Sequence, residues 1–108
     1  KTTVINAGSV GLPFDGDPRT GYAQIVREGN QTVSTIVRFP YSRDRALRDF
    51  QRTNFSQEGG PMTEIIRKEL EHSRSLLSRW NKRYYQAVLK GIIPLNEAVA
   101  DFLSDLDH

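Results

Sequence analysis

Residues 4–19 constrain the fold of this chain most, because strand-forming Val4 and Ile5 run directly into a loop rich in glycine and aspartate. The loop has glycines at 8, 11 and 16 and aspartates at 15 and 17. A loop that carries a site needs secondary structure on both sides to hold it, and almost no sequence precedes this one. We therefore expect the end of a site that begins in other polypeptide, so that the chain is a fragment of a larger unit.

The composition fits one modest domain. With 108 residues, 37% of them hydrophobic, the chain can bury a marginal core. It has no cysteine, so disulfide frameworks and thiolate metal sites are excluded. No apolar stretch approaches the roughly 20 residues that span a bilayer, and no signal peptide is recognisable. We expect a cytoplasmic protein that does not contact membranes.

The net charge is +2, but arginines cluster within residues 38–52. Such a cluster could contact a polyanion. Asp44 and Asp49 interrupt it, which is more typical of a solvated helix face. Nucleic-acid binding is therefore not expected.

Residues 2–39 carry the signals of three consecutive strands. β-Branched runs at 3–5, 22–26 and 32–37 alternate with turn formers, and the Gly-Asn pair at 29 and 30 predicts a hairpin. The last strand should end near Pro40, whose nitrogen cannot donate to a sheet. Three strands cannot bury an apolar face alone, so we expect other elements to cover them.

After Pro40 the apolar residues take a helical spacing. Ser42 is the predicted N-cap of a short helix with Leu47 and Phe50 on one face. This helix should fade over residues 57–60, where glycine ends the pattern.

The segment between Pro61 and Gly91 contains neither proline nor glycine, which predicts a single helix of about thirty residues, roughly 45 Å long. Its apolar residues recur at spacings of four and three, which is a heptad-like seam. The seam consists of Ile66, Leu70, Ser73, Leu77, Trp80, Tyr84 and Ala87.

Gly91 is expected to stop the long helix, and Pro94 to set the start of the last one. The apolar stripe of the last helix consists of Leu95, Val99, Phe102, Leu103 and Leu106. Residues 61–108 are therefore predicted to form a helical hairpin, and cover within the chain is favoured over a coiled-coil dimer. The predicted class is α+β, in three parts: residues 1–40, 41–60 and 61–108.

The histidines and carboxylates do not indicate a metal centre built by this chain. His72 lies three residues after Glu69 on what should be a solvated helix face, and the second histidine, His108, is the terminal residue. Ser9 has no base with a sequence reason to approach it, which excludes a hydrolase triad. The loop glycines also lack the spacing of phosphate-binding motifs.

Two interpretations of the loop stay open on these grounds. Asp15 and Asp17 precede glycine and proline, which is typical of turns in which an aspartate caps its own backbone. Alternatively, Arg19 could clamp a phosphate or carboxylate, because its planar guanidinium suits bidentate recognition beside a glycine-rich loop. Accessible backbone amides in such a loop also favour anions.

The same residues resemble the closing segment of calcineurin-like metallophosphoesterases, in the small bacterial and archaeal phosphodiesterase branch. There the pattern V-[IV]-N-P-G-S-V-G is followed by D-G-D-P-R-[AT]-x-Y. The matching residues here are Val4, Ile5, Asn6, Gly8, Ser9, Val10, Gly11, Asp15, Gly16, Asp17, Pro18, Arg19 and Tyr22. Ala7 stands where the family usually has proline. The predicted hairpin fits the family's final strands, and the helical remainder looks like a C-terminal extension.

The resemblance implies a parent enzyme with an α/β four-layer sandwich that hydrolyses phosphomonoesters or phosphodiesters, with nucleotides among the candidate substrates. Two divalent metal ions (Mn, Fe, Zn or Mg) would bind the hydroxide that attacks phosphorus. The family's metal-ligand motifs have no counterpart in this sequence, so the implied partner is a missing N-terminal part of the same protein. This chain alone is expected to bind no metal and to be inactive.

The resemblance also assigns roles in the parent enzyme. The loop would brace the last metal-binding motif or contact substrate, and the helices would cap the cleft. The loop residues in question are Asn6, Gly8, Ser9, Gly11, Asp15, Asp17 and Arg19. None is expected to be catalytic or to ligate metal.

An alternative of a different class is a non-catalytic interaction scaffold. It would use the heptad-like helix as its partner surface, and the same helix could pair two copies of the chain.

Overall fold

The computed structural model describes residues 2–106 as a mixed α+β structure, with a two-stranded antiparallel sheet followed by five helices. The predicted α+β class is confirmed. The chain is elongated: its radius of gyration is 18.3 Å, whereas a compact domain of this length would have about 13 Å. None of the helices in the described part is both long enough and apolar enough to cross a membrane.

Strands β1 (Thr20–Glu28) and β2 (Gln31–Phe39) form the predicted hairpin. Gly29 has a φ of 58° at the first of the two turn positions. A type II′ turn requires a positive φ there, which glycine adopts without strain. The register pairs Tyr22 with Val37, so their side chains lie on the same face of the sheet.

The first predicted strand, at residues 3–5, is wrong. These residues have no regular structure, and Val4 is 88% exposed. A β-branched run becomes a strand only when a neighbouring strand pairs with its backbone, and residues 2–106 contain no strand that does so. Two strands form instead of three.

Helix α1 (Arg43–Arg52) begins at the predicted cap, since Ser42 Oγ accepts from the amide of Arg45 at 3.3 Å. A second short helix, α2 (Phe55–Gly59), stands where the sequence predicted a fading end. The ring of Phe55 meets Phe50 edge to face, with centroids 5.3 Å apart, and this contact joins the two helices.

The long helix predicted between Pro61 and Gly91 is wrong, because the structure has two helices there: α3 (Met62–His72) and α4 (Leu77–Leu89). Ser73, which follows α3, has φ 53° and ψ 42°. It is the one non-glycine residue with a positive φ in the described part of the chain. This left-handed conformation costs a residue that carries a side chain roughly 1–2 kcal/mol.

The buried carboxylate of Glu69 stabilises the break between α3 and α4. Its Oε1 accepts from the amide of Leu76 at 2.8 Å and from the amide of Leu77 at 2.7 Å. A helix start leaves such amides without partners, and a negative charge is favourable there. Glu69 is only 3% exposed, so the expectation of a solvated face is wrong for this residue. Glu69 is buried because the chain turns at Ser73 and carries the start of α4 back onto the carboxylate.

Helices α3, α4 and α5 (Leu95–Leu106) form a helical body that contains the hydrophobic core. The buried core residues are Ile65, Leu76, Trp80, Tyr84, Ala98, Val99 and Phe102. Gly91, with φ 72°, follows the end of α4 as predicted, and α5 begins directly after Pro94. Three helices therefore replace the predicted hairpin of two.

The hairpin has no helix against it. Within residues 2–106 neither strand packs on a helix, and the sheet projects from the helical body. One face carries an apolar stripe that consists of Tyr22, Val26, Val33, Val37 and Phe39, with Val33 59% exposed. On the opposite face Ile25 is 60% exposed. Contiguous apolar surface of this kind is typical of an interface.

Phe102→Ala should destabilise the helical body by about 4 kcal/mol, because removal of a buried ring leaves a cavity beside Tyr84. Urea unfolding followed by the fluorescence of Trp80 measures the change. The matched substitution Phe39→Ala in β2 should leave the Trp80 transition in place, since the hairpin does not pack on the core. Equal shifts in the two variants would contradict this separation.

Tyr84 links α4 to α5 through a hydrogen bond from its hydroxyl to Asp101 Oδ2 at 2.5 Å. This bond and burial raise the pKa of the Tyr84 phenol. A pKa raised by folding means that the stabilisation is complete below the unfolded value of about 10 and is lost as the pH rises toward the folded value.

Tyr84→Phe should therefore lower the free energy of unfolding by about 1 kcal/mol at pH 7. The variant should also lose less stability than the wild type above pH 10, because it has no phenol to ionise. Chemical unfolding at pH 7 to 11 tests this, with Tyr85→Phe as the control because Tyr85 is 48% exposed. Parallel pH curves for Tyr84→Phe and the wild type would refute the assignment.

Candidate functional site

The loop that the sequence singled out is built from short side-chain turns. Asn6 Oδ1 accepts from the amide of Gly8 at 2.9 Å, and Ser9 Oγ accepts from the amide of Leu12 at 2.9 Å. Gly8 has φ 80°, so the first turn needs a residue without a Cβ. Asn and Ser side chains commonly close turns through such hydrogen bonds to the backbone.

Two contacts tie the first half of this loop to the rest of the chain. The hydroxyl of Tyr41, which lies just before α1, donates to the carbonyl of Gly11 at 3.0 Å. Gly21 in β1 lets the backbone approach, because a Cβ there would lie 3.3 Å from the carbonyl oxygen of Ala7. The loop therefore crosses the end of the sheet closely.

Arg38 organises the second half of the loop. Its guanidinium donates to the carboxylate of Asp15, to the carbonyl of Asp17 at 3.2 Å and to the carbonyl of Arg19 at 2.7 Å. Arg38 is 23% exposed, so these bonds are partly shielded from water. One side chain from β2 thus holds three positions of the loop together: Asp15, Asp17 and Arg19.

Sequence reasoning did not identify Arg38, which it counted only within the arginine cluster. A signal was present, however. The two-residue turn after Glu28 sets the hairpin register, and that register places Arg38 opposite Gly21 at the end of β1 that continues into the loop. A long cationic side chain opposite a glycine at that position could have been predicted to contact the acidic loop.

Asp17 and Arg19 form a local ion pair. Arg19 Nη2 donates to Asp17 Oδ2 at 2.8 Å, and Arg19 Nε also contacts the same carboxylate. The hydrogen bonds from Arg19 lower the pKa of Asp17 strongly, and the carboxylate raises the pKa of Arg19 in turn. To bind a phosphate, Arg19 would have to give up its ion pair with Asp17.

Asp15 is held in the ionised form by Arg38. The hydrogen bond from Arg38 is the main cause that lowers the pKa of the Asp15 carboxyl. Both aspartates of the loop are therefore engaged by arginines of the same chain.

The far end of the loop rests on the break between α3 and α4. The amide of Gly16 donates to the carbonyl of Ser73 at 2.9 Å. Gly16 has φ 80°, and a Cβ there would lie 2.7 Å from Nη2 of Arg74, so the guanidinium covers the glycine. The loop thus bridges the sheet and the helical body.

A groove of about 670 Å³ runs between the loop and the sheet. It is lined by Asn6, Ala7, Gly8, Ser9, Leu12, Pro13, Phe14, Asp15, Ile36 and Arg38. The structure therefore brings four predicted site residues, at positions 6, 8, 9 and 15, to one surface. Gly11, Asp17 and Arg19 do not line this groove. The groove offers an amide, a hydroxyl and a neutralised Asp15–Arg38 pair beside an exposed aromatic ring.

The donor set of these residues does not fit a metal ion. Within residues 2–106, no group of three His, Cys, Asp or Glu side chains converges to hold one. The carboxylates of Asp15 and Asp17 are committed to arginines, and Glu69 is committed to the start of α4. His108 lies outside the described residues.

Comparison of the chain with protein-family models, with curated proteins and with solved structures found no match. The interpretation of the loop therefore depends on its residues and their geometry.

Arg38→Ala should release the loop and raise the pKa of Asp15 toward about 3.9, the value of a free aspartate. Because the folded pKa is lowered, the stabilisation by this pair exists above pH about 4 and is lost as the pH falls through the folded value. Carboxyl-carbon NMR titration from pH 2 to 6 measures the change. Arg27→Ala on the same sheet face is the control. An unchanged Asp15 titration in Arg38→Ala would show that Arg38 does not hold the loop.

Proposed function

We propose that this chain is the C-terminal part of a metal-dependent phosphoesterase, in which residues 6–19 brace the loop that carries the last metal ligands. The observation that carries the proposal is the set of hydrogen bonds that Arg38 donates to the loop. The hydrogen bonds from Arg38 hold Asp15, Asp17 and Arg19, which match the second half of the family pattern, in one defined arch at the end of the sheet. An arch fixed at both ends can position a neighbouring loop to within the tolerance that catalysis demands.

The open hairpin supports the proposal independently. Its apolar stripe, with Tyr22 and Phe39 in ring contact at 5.9 Å, has no cover among the described residues. Both strands also leave an outer edge unpaired there, which further strands could join. The parent α/β four-layer sandwich would supply that cover from its N-terminal part, and β1 and β2 would be its last strands.

The two divalent cations of such an enzyme would be held by residues of the N-terminal part, since the donor set of this chain does not fit them. Mn, Fe, Zn or Mg would supply the charge that activates a hydroxide and stabilises the transferring phosphoryl group. The residues of this chain have a positioning role. Asn6 and Ser9 shape the groove, and Arg38 keeps the acidic part of the loop neutralised and in place.

The experiment compares this chain with the protein encoded by the complete reading frame, on an aryl phosphodiester with added manganese. The 108-residue chain should show no turnover, and the complete protein should show metal-dependent turnover. In the complete protein, Arg38→Ala should lower kcat by about 10- to 100-fold through displacement of the loop. Arg27→Ala should keep the wild-type rate.

Metal-dependent turnover by the 108-residue chain itself would overturn the proposal. An inactive complete protein would favour the second candidate, a non-catalytic interaction scaffold. The open apolar face of the hairpin favours that candidate, whereas the heptad-like seam does not. Leu70, Trp80 and Tyr84 of the seam are already buried within the chain, so little of it remains for a partner or a second copy.

A further inference from the structure

The break between α3 and α4 stands where the sequence carries no helix-breaking residue. Between Pro61 and Gly91 there is neither glycine nor proline, and the apolar spacing is compatible with one continuous helix. The break instead depends on Ser73 in a left-handed conformation that favours glycine. Local preference and observed structure disagree in this segment, and such a conflict narrows the energy gap between the native state and a competing conformation.

The amides of Leu76 and Leu77 can each exchange one acceptor for another. In the observed state the amides of Leu76 and Leu77 donate to Glu69 Oε1, and the carbonyl of Ser73 accepts from Gly16. In a continuous helix, each amide donates to the carbonyl four residues earlier. Leu76 would then donate to His72, and Leu77 would donate to Ser73.

We propose that Glu69 and Ser73 form a two-state latch that positions the loop of residues 6–19. In the closed state, Glu69 caps α4 and the free carbonyl of Ser73 holds the amide of Gly16. In the open state, α3 and α4 join into one helix, Leu77 takes the carbonyl of Ser73, and the loop loses this anchor.

The latch couples the helical body to the candidate site. Ser73 cannot accept from Leu77 in helical geometry while its turn presents the carbonyl to Gly16, so each conformation excludes the other. Arg74, whose guanidinium covers Gly16, would move away with the same turn. Anything that biases the break therefore moves the loop, whatever reaction the complete protein performs.

Glu69 is the group that holds the latch closed. Its carboxylate is buried and accepts both of its hydrogen bonds from α4. Joining the helices would leave this acceptor without either donor, which disfavours the open state. Without the carboxylate that penalty disappears, so the open state becomes more populated, while the packing of Leu76 and Trp80 on Ile65 still favours the closed state.

Hydrogen exchange at the amide of Gly16, measured by NMR on the 108-residue chain, tests the latch. Glu69→Ala should speed this exchange by about tenfold while the β1 and β2 amides keep their rates. Glu71→Ala, on the same helix but with surface ion pairs alone, should leave Gly16 unchanged.

A pair of substitutions at Ser73 keeps the test decisive if Glu69→Ala fails to fold. Ser73→Gly tolerates the left-handed conformation and should slow exchange at Gly16, whereas Ser73→Ala favours the helix and should speed it. Equal Gly16 exchange in Ser73→Gly and Ser73→Ala would overturn the proposal. So would a folded Glu69→Ala variant with wild-type exchange at Gly16. Neither outcome involves phosphoesterase activity, so the latch and the proposed function can fail separately.

Discussion

Glu69 accepts hydrogen bonds from the amides of Leu76 and Leu77, and this contact determines where α3 ends and α4 begins. Burying a carboxylate is costly unless it is hydrogen-bonded, and a helix start supplies both donors and a favourable dipole. The turn at Ser73 brings Leu76 and Trp80 back onto Ile65. The packing of α4 on α3 and the bond from the amide of Gly16 to the carbonyl of Ser73 both depend on this turn.

The loop is held by many modest interactions around one cation. Exposed ion pairs such as Asp17–Arg19 contribute little to stability individually. Arg38 differs because it also bonds two backbone carbonyls, which restrains the path of the chain as well as the side chains. A loop held in this way is suited to positioning a neighbour and less suited to binding an ion with its own carboxylates.

The hairpin and the helical body differ in how completely they are folded within the chain. The helical body buries its apolar residues against one another, while the hairpin leaves an apolar stripe open in the described part of the chain. The phosphoesterase proposal explains both properties together. It assigns the hairpin to a larger sheet and the helices to an extension with its own core.

Local signals were sufficient for the elements whose ends depend on backbone chemistry. The turn at Gly29, the cap at Ser42 and the stop at Gly91 were all predicted, because positive φ and amide capping are properties of single residues. In the candidate site, the turn at Asn6 and the turn at Asp15, whose Oδ1 accepts from the amide of Asp17 at 3.1 Å, were predictable for the same reason. Arg38 was missed because its role depends on pairing across the hairpin.

Two features were decided by tertiary structure alone. Residues 3–5 have strand propensity but no partner strand in the described residues, so propensity could not be realised. The segment after Met62 has the pattern of one long helix, yet it breaks at Ser73 because Glu69 finds two amide donors there. The sequence by itself determined which residues form turns, which cap helices and which segments have the alternating pattern of strands. Where the helix breaks was settled by the bonds that Glu69 accepts from amides seven and eight residues later, and what the loop rests on was settled by the contact of Gly16 with the distant Ser73. The apolar spacing of the sequence contains neither contact.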